Sequence, residues 1–432
     1  MKFFFTLSLL ALVALLQAEP PRVAEKAVAA LQKGKYKAFS KYCNPKFREQ
    51  MNAAQLTQFM GKVTQTYGNI RSITYEATQK KEGVEVHRYR LQMEKDSFTL
   101  LVSVDKDQIS GMFIRPFENQ NQYKKPRYGT GFPVSVKDVE HGVEGWQLPA
   151  QLVWPARFDT ARLPVCIFVH GSGPNDMDES MGPNKPFLDL ALGLAGQGIG
   201  SLRYHKRTFQ YASRYKDVVL TPEDEVYVDL WAMIYLVKQQ DWVDTNRIFI
   251  VGHSQGAMMA PRFASLRNDI AGVVMLCGTS DSLSRIVEYQ INHLNTQNGN
   301  EGSEQSADMM RQLRSIYDPA QPENAVVLGT SVAWWRHIDT IFRPEFLGAT
   351  PHFVVNAAMD YQVPPRFYSS LRGHCEARSN TERHACTFRE YPNLNHLLQE
   401  SDGSLSPNEY RRPDKHVDEQ LIKDIAVWIR LH

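Results

Sequence analysis

The chain carries almost no net charge, few cysteines and, beyond its first residues, no long hydrophobic run. Its 49 Lys and Arg against 47 Asp and Glu leave a formal charge of +2, with no extended basic stretch. That balance lacks the electrostatic footprint that nucleic acid or an anionic membrane surface requires, so neither is an expected partner. No His/Cys/Asp group has metal-ligand spacing, and neither a P-loop lysine nor a full G-x-G-x-x-G is present. No metal and no nucleotide cofactor are therefore expected. There is no internal repeat. Of the five cysteines, Cys166 and Cys277 sit inside apolar strand-like runs and read as buried free thiols. Cys375 and Cys386, with ten residues between them in one polar stretch, are the pair whose spacing allows a disulfide.

What is present is an ordinary globular composition, 43% hydrophobic and 11% aromatic, in 432 residues. The one long apolar run, Phe3 to Leu16 behind Lys2, ends in Leu16-Gln17-Ala18 before Glu19-Pro20. A short positive start, an apolar segment under the roughly 20 residues of a bilayer span and a small residue at the break describe a signal peptide over residues 1–18. The mature chain is then expected outside the cytoplasm, periplasmic or extracellular, where disulfides persist.

Two patterns divide the remainder. Residues 19–118 place helical spacing at Val23, Ala27, Ala30 and Leu31 and again over Ala53 to Tyr67. Strand-like runs follow at Val84–Leu91, Phe98–Val104 and Ile109–Ile114. Helices followed by strands predict a small α+β domain, and the polar stretch Glu118 to Pro126 predicts a linker. From residue 127 to 432, apolar runs bounded by turns alternate with helices, the signature of a mostly parallel, doubly covered sheet. Residues 281–345 interrupt that alternation with a helical, partly polar insertion. It enters just past the run ending at Leu276 and is expected to form a cap over the sheet's carboxyl edge. Its adjacent Trp334 and Trp335 are candidates to line a substrate pocket.

The sharpest local signal is Gly252-His253-Ser254-Gln255-Gly256, set between an apolar strand and a helix with small early residues. A G-x-S-x-G sequence in that setting bends the chain so tightly that the serine stands exposed at the sheet edge. A nucleophilic serine needs a base, and the base needs an acid to orient it. Asp360 follows the run Phe353–Asn356 and His396 follows the run Thr387–Glu390, each just past a strand's carboxyl end. Asp339 is the rival acid, but it belongs to the insertion. Among the late histidines His352, His374, His384, His416 and His432, none has the position of His396. The amides of Gln255 and of Ser172, in the glycine-rich turn His170-Gly171-Ser172-Gly173-Pro174, are the candidate oxyanion donors, with Gly171 or Gly173 as alternatives to Ser172.

Taken together, His170 to Asp176, Gly252 to Gly256, Asp360 with Gln362-Val363-Pro364, and Leu394-Asn395-His396 resemble the bacterial α/β-hydrolases of the esterase D type. The preceding domain is similar in pattern to the cone-shaped nuclear-transport-factor-2 domains. The resemblance implies an α/β-hydrolase fold and carboxylesterase activity on short acyl groups of a small-molecule ester. One stretch departs from it: Arg203-Tyr204-His205-Lys206-Arg207-Thr208 stands where such proteins usually have Asp-Lys-Arg-Gly, which puts that loop's structural role in question. The same constellation also serves serine peptidases and acyltransferases, and a hydrolase domain can persist as an inactive binding module.

Overall fold

The computed structural model describes residues 20–432 apart from 82–83, 117–122, 160, 216–219, 298, 300–302, 349 and 379–385. The expected signal peptide, most of the expected linker and His384 lie outside the described residues. Two compact units meet in sequence between Gln120 and Asn121.

The first unit opens with α1 (Arg22–Gln32), α2 (Tyr36–Lys41), α3 (Pro45–Gln50) and α4 (Ala53–Tyr67). An antiparallel sheet follows, in order β1 (Ile70–Lys81), β2 (Val84–Met93), β3 (Ser97–Asp105) and β4 (Gln108–Pro116). Ala27, Leu31, Leu56 and Met60 from the helices pack on Leu91, Leu100 and Val102 of the sheet. Strand β1 is absent from the sequence reading. None of Ile70–Thr78 is fully buried, so this edge strand carries no apolar run to betray it.

The second unit is built on an eight-stranded sheet. In chain order it contains β5 (Val134–Val143), β6 (Trp146–Pro155), β7 (Leu163–Val169), α5 (Pro186–Gly196), β8 (Gly200–Tyr204), α6 (Arg207–Gln210), α7 (Pro222–Lys238), β9 (Val243–His253), α8 (Gln255–Ser265) and β10 (Gly272–Leu276). After the insertion come β13 (His352–Ala357), α12 (Pro365–Glu376), β14 (Cys386–Tyr391) and α13 (Glu419–Leu431). The spatial order is β14-β13-β10-β9-β7-β8-β6-β5, with β8 through β14 parallel and β6 and β5 antiparallel at one side. Helices α7 and α8 cover one face, while α5 and α13 cover the other. Strands β7, β8 and β10 are buried at every position, as a strand sandwiched between two helical layers must be. This arrangement is the α/β-hydrolase fold.

The insertion holds α9 (Leu283–Gln297), α10 (Glu304–Ser315), a two-stranded ribbon of β11 (Val326–Val327) and β12 (Thr330–Ser331), and α11 (Val332–Ile338). Cys375 and Cys386 are disulfide-bonded across a sequence separation of 11, and closing so short a loop stabilises by about 2 to 3 kcal/mol. They do not share one loop as their polar surroundings suggest: Cys375, with His374, lies in the last turns of α12, and Cys386 opens β14. The buried stripe of α12 is narrow (Phe367, Tyr368, Leu371 and Cys375), and Arg, Ser and His between those positions mask its periodicity. No helix among the described residues is long and apolar enough to cross a membrane.

Candidate active site

Because β7, β8, β9, β10, β13 and β14 run parallel, their carboxyl ends deliver His170, Lys206, Ser254, Cys277, Asp360 and His396 to one edge of the sheet. Ser254 sits at the turn from β9 into α8 with φ 53° and ψ −117°, a strained backbone for a residue bearing a side chain. The flanking glycines make that bend possible. A Cβ on Gly252 would stand 2.4 Å from the Gly256 carbonyl oxygen, and one on Gly256 would stand 2.3 Å from that of Val169. The Ser254 amide donates to the Leu276 carbonyl at 2.9 Å, tying the turn to β10.

Asp360 and His396 are brought together. His396 Nδ1 lies 2.6 Å from Asp360 Oδ2, and both residues are buried. The other carboxylate oxygen accepts the Gln362 amide at 2.7 Å and the Val363 amide at 3.0 Å, so the acid is fixed in rotation. His396 Nε2 has no acceptor or donor among the described residues, and no hydrogen bond joins it to Ser254 Oγ. Free serine hydrolases often hold this contact long and tighten it around substrate. The Gln255 and Ser172 amides also have no acceptor among the described residues. Gly171 packs on Ser254, since a Cβ there would meet Ser254 Cβ at 3.1 Å. The rival acid Asp339 is committed inside the insertion to Ser284 and Tyr317. His352 opens β13 at the opposite sheet edge, and His416 faces Asp189.

Two site residues had no signal in the sequence beyond their neighbourhood. Glu179 Oε1 accepts the Gly171 amide at 2.5 Å, and its Oε2 lies 2.9 Å from His253 Nδ1. His253 Nε2 donates to the His396 carbonyl at 2.8 Å. A buried carboxylate–imidazole pair thus links the turn after β7, the residue before Ser254 and the backbone of His396. Glu179 lies in the acidic run Asp176–Glu179, where nothing local marks it as buried; its φ of 51° would have been the only hint, and that is invisible in sequence.

Nearby atoms of His253, Cys277 and His396 lie within 4.8 Å of one another. Both His253 nitrogens and His396 Nδ1 are engaged, and burial first, then Asp360, pushes the Cys277 thiol well above its ordinary value.

Two of the buried histidines, His170 and His253, are shifted in opposite directions. Burial pulls His170 down to about 4, although Glu179 opposes it. Its folded value lies below the ordinary 6.5, so the unfolded chain binds a proton that the folded one does not, and stability is lost as pH falls from 6.5 towards 4. Burial also disfavours the His253 imidazolium, but Glu179 outweighs burial and raises it. Its contribution is present below pH 6.5 and is lost as pH rises through the folded value. Glu179 itself is lowered: His253, His170 and the Gly171 amide overcome its burial, so its contribution fades only at low pH. The melting temperature should therefore decline on both sides of neutrality, and Glu179→Gln should flatten the alkaline limb. An alkaline slope unchanged in that variant would remove the pair from the account.

Trp334 and Trp335 are both buried, packed edge to face at 5.3 Å. Their indole N–H groups bond Glu225 Oε2 at 3.0 Å and the Val327 carbonyl at 2.9 Å. Helix α9 braces the acid turn, with Ile286 against Val363, His293 stacked on Tyr361 and Gln290 Nε2 donating to the Gln362 carbonyl. A groove of about 700 Å³ runs along α9 and the start of α12, lined by Arg285, Tyr289, His293, Arg366 and Phe367 among others but by neither Ser254, Asp360 nor His396.

Residues 24–112 match the model of a family described as a protein of unknown function (DUF3887), and residues 223–294, which include Ser254, match that of acetyl xylan esterase (AXE1). Esterase EstD of Thermotoga maritima is 29% identical over 392 residues, 90% of each chain. Among solved structures, Est1E from Butyrivibrio proteoclasticus is 17% identical with a TM-score of 0.42, covering 67% of this chain and 99% of that one. An esterase of Pyrobaculum calidifontis is also 17% identical with a TM-score of 0.42, covering 69% of this chain and 87% of that one. The chain is thus similar to EstD along nine-tenths of both chains, and that similarity, with the acetyl xylan esterase match and the sheet order described above, marks it as an α/β-hydrolase and an enzyme of the carboxylesterase type.

Proposed function

We propose that this enzyme hydrolyses short-chain carboxylic esters through an acyl-enzyme on Ser254, with His396 as base, Asp360 as its orienting acid and the Ser172 and Gln255 amides as the oxyanion hole. The observation that carries the reading is the buried Asp360–His396 pair delivered to the same sheet edge as a serine on a strained elbow. His396 takes the Ser254 proton as the oxygen attacks the ester carbonyl. The two amides hold the tetrahedral oxyanion, and Asp360 stabilises the imidazolium. His396 then protonates the departing alcohol, and water, activated by the same histidine, releases the acid.

The preference for short acyl groups is supported by the match of residues 223–294 to a family named for removing acetyl groups. On nitrophenyl esters, kcat/KM should be highest for acetate to butyrate and at least about tenfold lower for octanoate, because a pocket fitted to a short acyl group rejects added methylenes sterically. Equal or better turnover of octanoate would exclude the short-chain preference. Faster cleavage of an acyl anilide than of the matching ester would move the assignment to a peptidase.

A further inference from the structure

The stretch that departs from the esterase D pattern cradles the turn after β7. The Met177 amide donates to His205 Nδ1 at 2.8 Å. The Lys206 amide donates to the Asn175 carbonyl at 3.1 Å, Arg203 pairs with Asp178, and Arg207 grips Asp229 with two hydrogen bonds. Lys206 itself is buried, at 2% exposure. Its ammonium donates to the Gly171 carbonyl at 2.9 Å and pairs with Glu225 Oε1 at 2.7 Å. Glu225 in turn accepts the Trp334 indole N–H from the insertion.

The Gly171 oxygen belongs to the same peptide group as the Ser172 N–H. In a trans peptide the two point in opposite directions, and the group is rigid and planar. Whatever fixes the Gly171 oxygen therefore aims the Ser172 N–H. A cation on that oxygen also withdraws electron density through the amide and makes the N–H a stronger donor, an effect enlarged by the low dielectric around it. The Gly171 N–H is held from the other side by Glu179, so the residue is pinned at both polar atoms. Burying a lysine is costly, and neutralising Glu225 alone would not require its short contact with a backbone carbonyl.

We propose that Lys206 is a positioning residue for acyl transfer: its ammonium fixes and polarises the Gly171–Ser172 peptide so that the Ser172 N–H binds the oxyanion of the tetrahedral intermediate. The proposal rests on the reading of Ser254 as nucleophile and Ser172 as oxyanion donor. Through Glu225 and Trp334, it also ties the insertion to the strength of the oxyanion hole.

Lys206→Met alone would strand the Glu225 carboxylate, so the test pairs it with Glu225→Gln, which keeps an acceptor for Trp334. The reference is Glu225→Gln alone, in which Lys206 still reaches the Gly171 oxygen. Measured on nitrophenyl acetate, the double variant should lose about 10²-fold or more in kcat against that reference, with KM within about threefold, the loss expected for one oxyanion donor. Inhibition by phenylboronic acid, which forms a tetrahedral adduct with the serine, should weaken in parallel. A kcat within threefold of the reference overturns the proposal, as does a kcat loss that leaves boronate affinity unchanged. If the double variant does not fold, Lys206→Gln decides: a kcat loss of tenfold or more at constant KM supports the role, and a smaller one overturns it. Ser254→Ala runs beside them. Wild-type turnover in Ser254→Ala would sink the underlying triad reading, whereas an inactive Ser254→Ala with active Lys206 variants would sink only the positioning role.

Discussion

Replacing Ser254 by alanine should lower kcat by at least about 10⁴-fold and abolish labelling by a fluorophosphonate, while the melting transition stays in place. The fold survives because the change removes one oxygen that makes no described hydrogen bond. The Ser254 amide keeps its bond to the Leu276 carbonyl, and alanine meets the positive φ no worse than serine does. The bend is set by Gly252 and Gly256, whose missing side chains leave room for the Gly256 and Val169 carbonyls. On the mechanism proposed above, what is lost is the oxygen that forms the acyl-enzyme. Residual turnover would come from the amides of Ser172 and Gln255 and from substrate binding, which alone can exceed the rate in water by about 10³ to 10⁴. Labelling at the wild-type rate in Ser254→Ala would show that another residue is the nucleophile.

How much of this was legible in the sequence depends on whether a residue's role is local. The turn at Ser254 was legible because so tight a bend demands glycines two residues to either side and a strand-to-helix change around them. Asp360 and His396 were legible by position, since in a parallel sheet the carboxyl ends of strands converge and only a few polar residues stand just past one. Helix α12 and strand β1 were not, because each buries too thin a stripe to impose a period on its sequence. Glu179, His253 and Lys206 were illegible as site residues for a different reason. Each is a buried charge whose meaning is its partner, and those partners lie 74, 143 and 35 residues away for Glu179–His253, His253–His396 and Lys206–Gly171. Spacing along a chain contains no record of such pairings. The departure at His205 illustrates the same limit: its imidazole accepts the Met177 amide, 28 residues away in sequence.

Asp360→Asn should lower kcat by about 10⁴-fold with little loss of stability, and the reason lies in which carboxylate oxygen does what. Oδ1 accepts two backbone amides, those of Gln362 and Val363. An asparagine placing its amide nitrogen there would set a donor against two donors, so it must keep its oxygen in that position and turn its nitrogen towards His396. Nδ1 of His396, which lies 2.6 Å from Oδ2, would then face a donor and give up its proton to become an acceptor. A neutral imidazole carries one N–H. The proton moves to Nε2, the nitrogen that must be bare to accept the serine proton, and general-base catalysis is lost through the wrong tautomer. Packing is untouched because the two side chains have the same shape. The variant should therefore melt near the wild type, and KM should change little. Fluorophosphonate labelling should slow in step with kcat, because both need the same deprotonated serine. A variant within tenfold of wild-type kcat would show that Asp360 neither orients nor charges the base, and the acid of the site would have to be sought elsewhere.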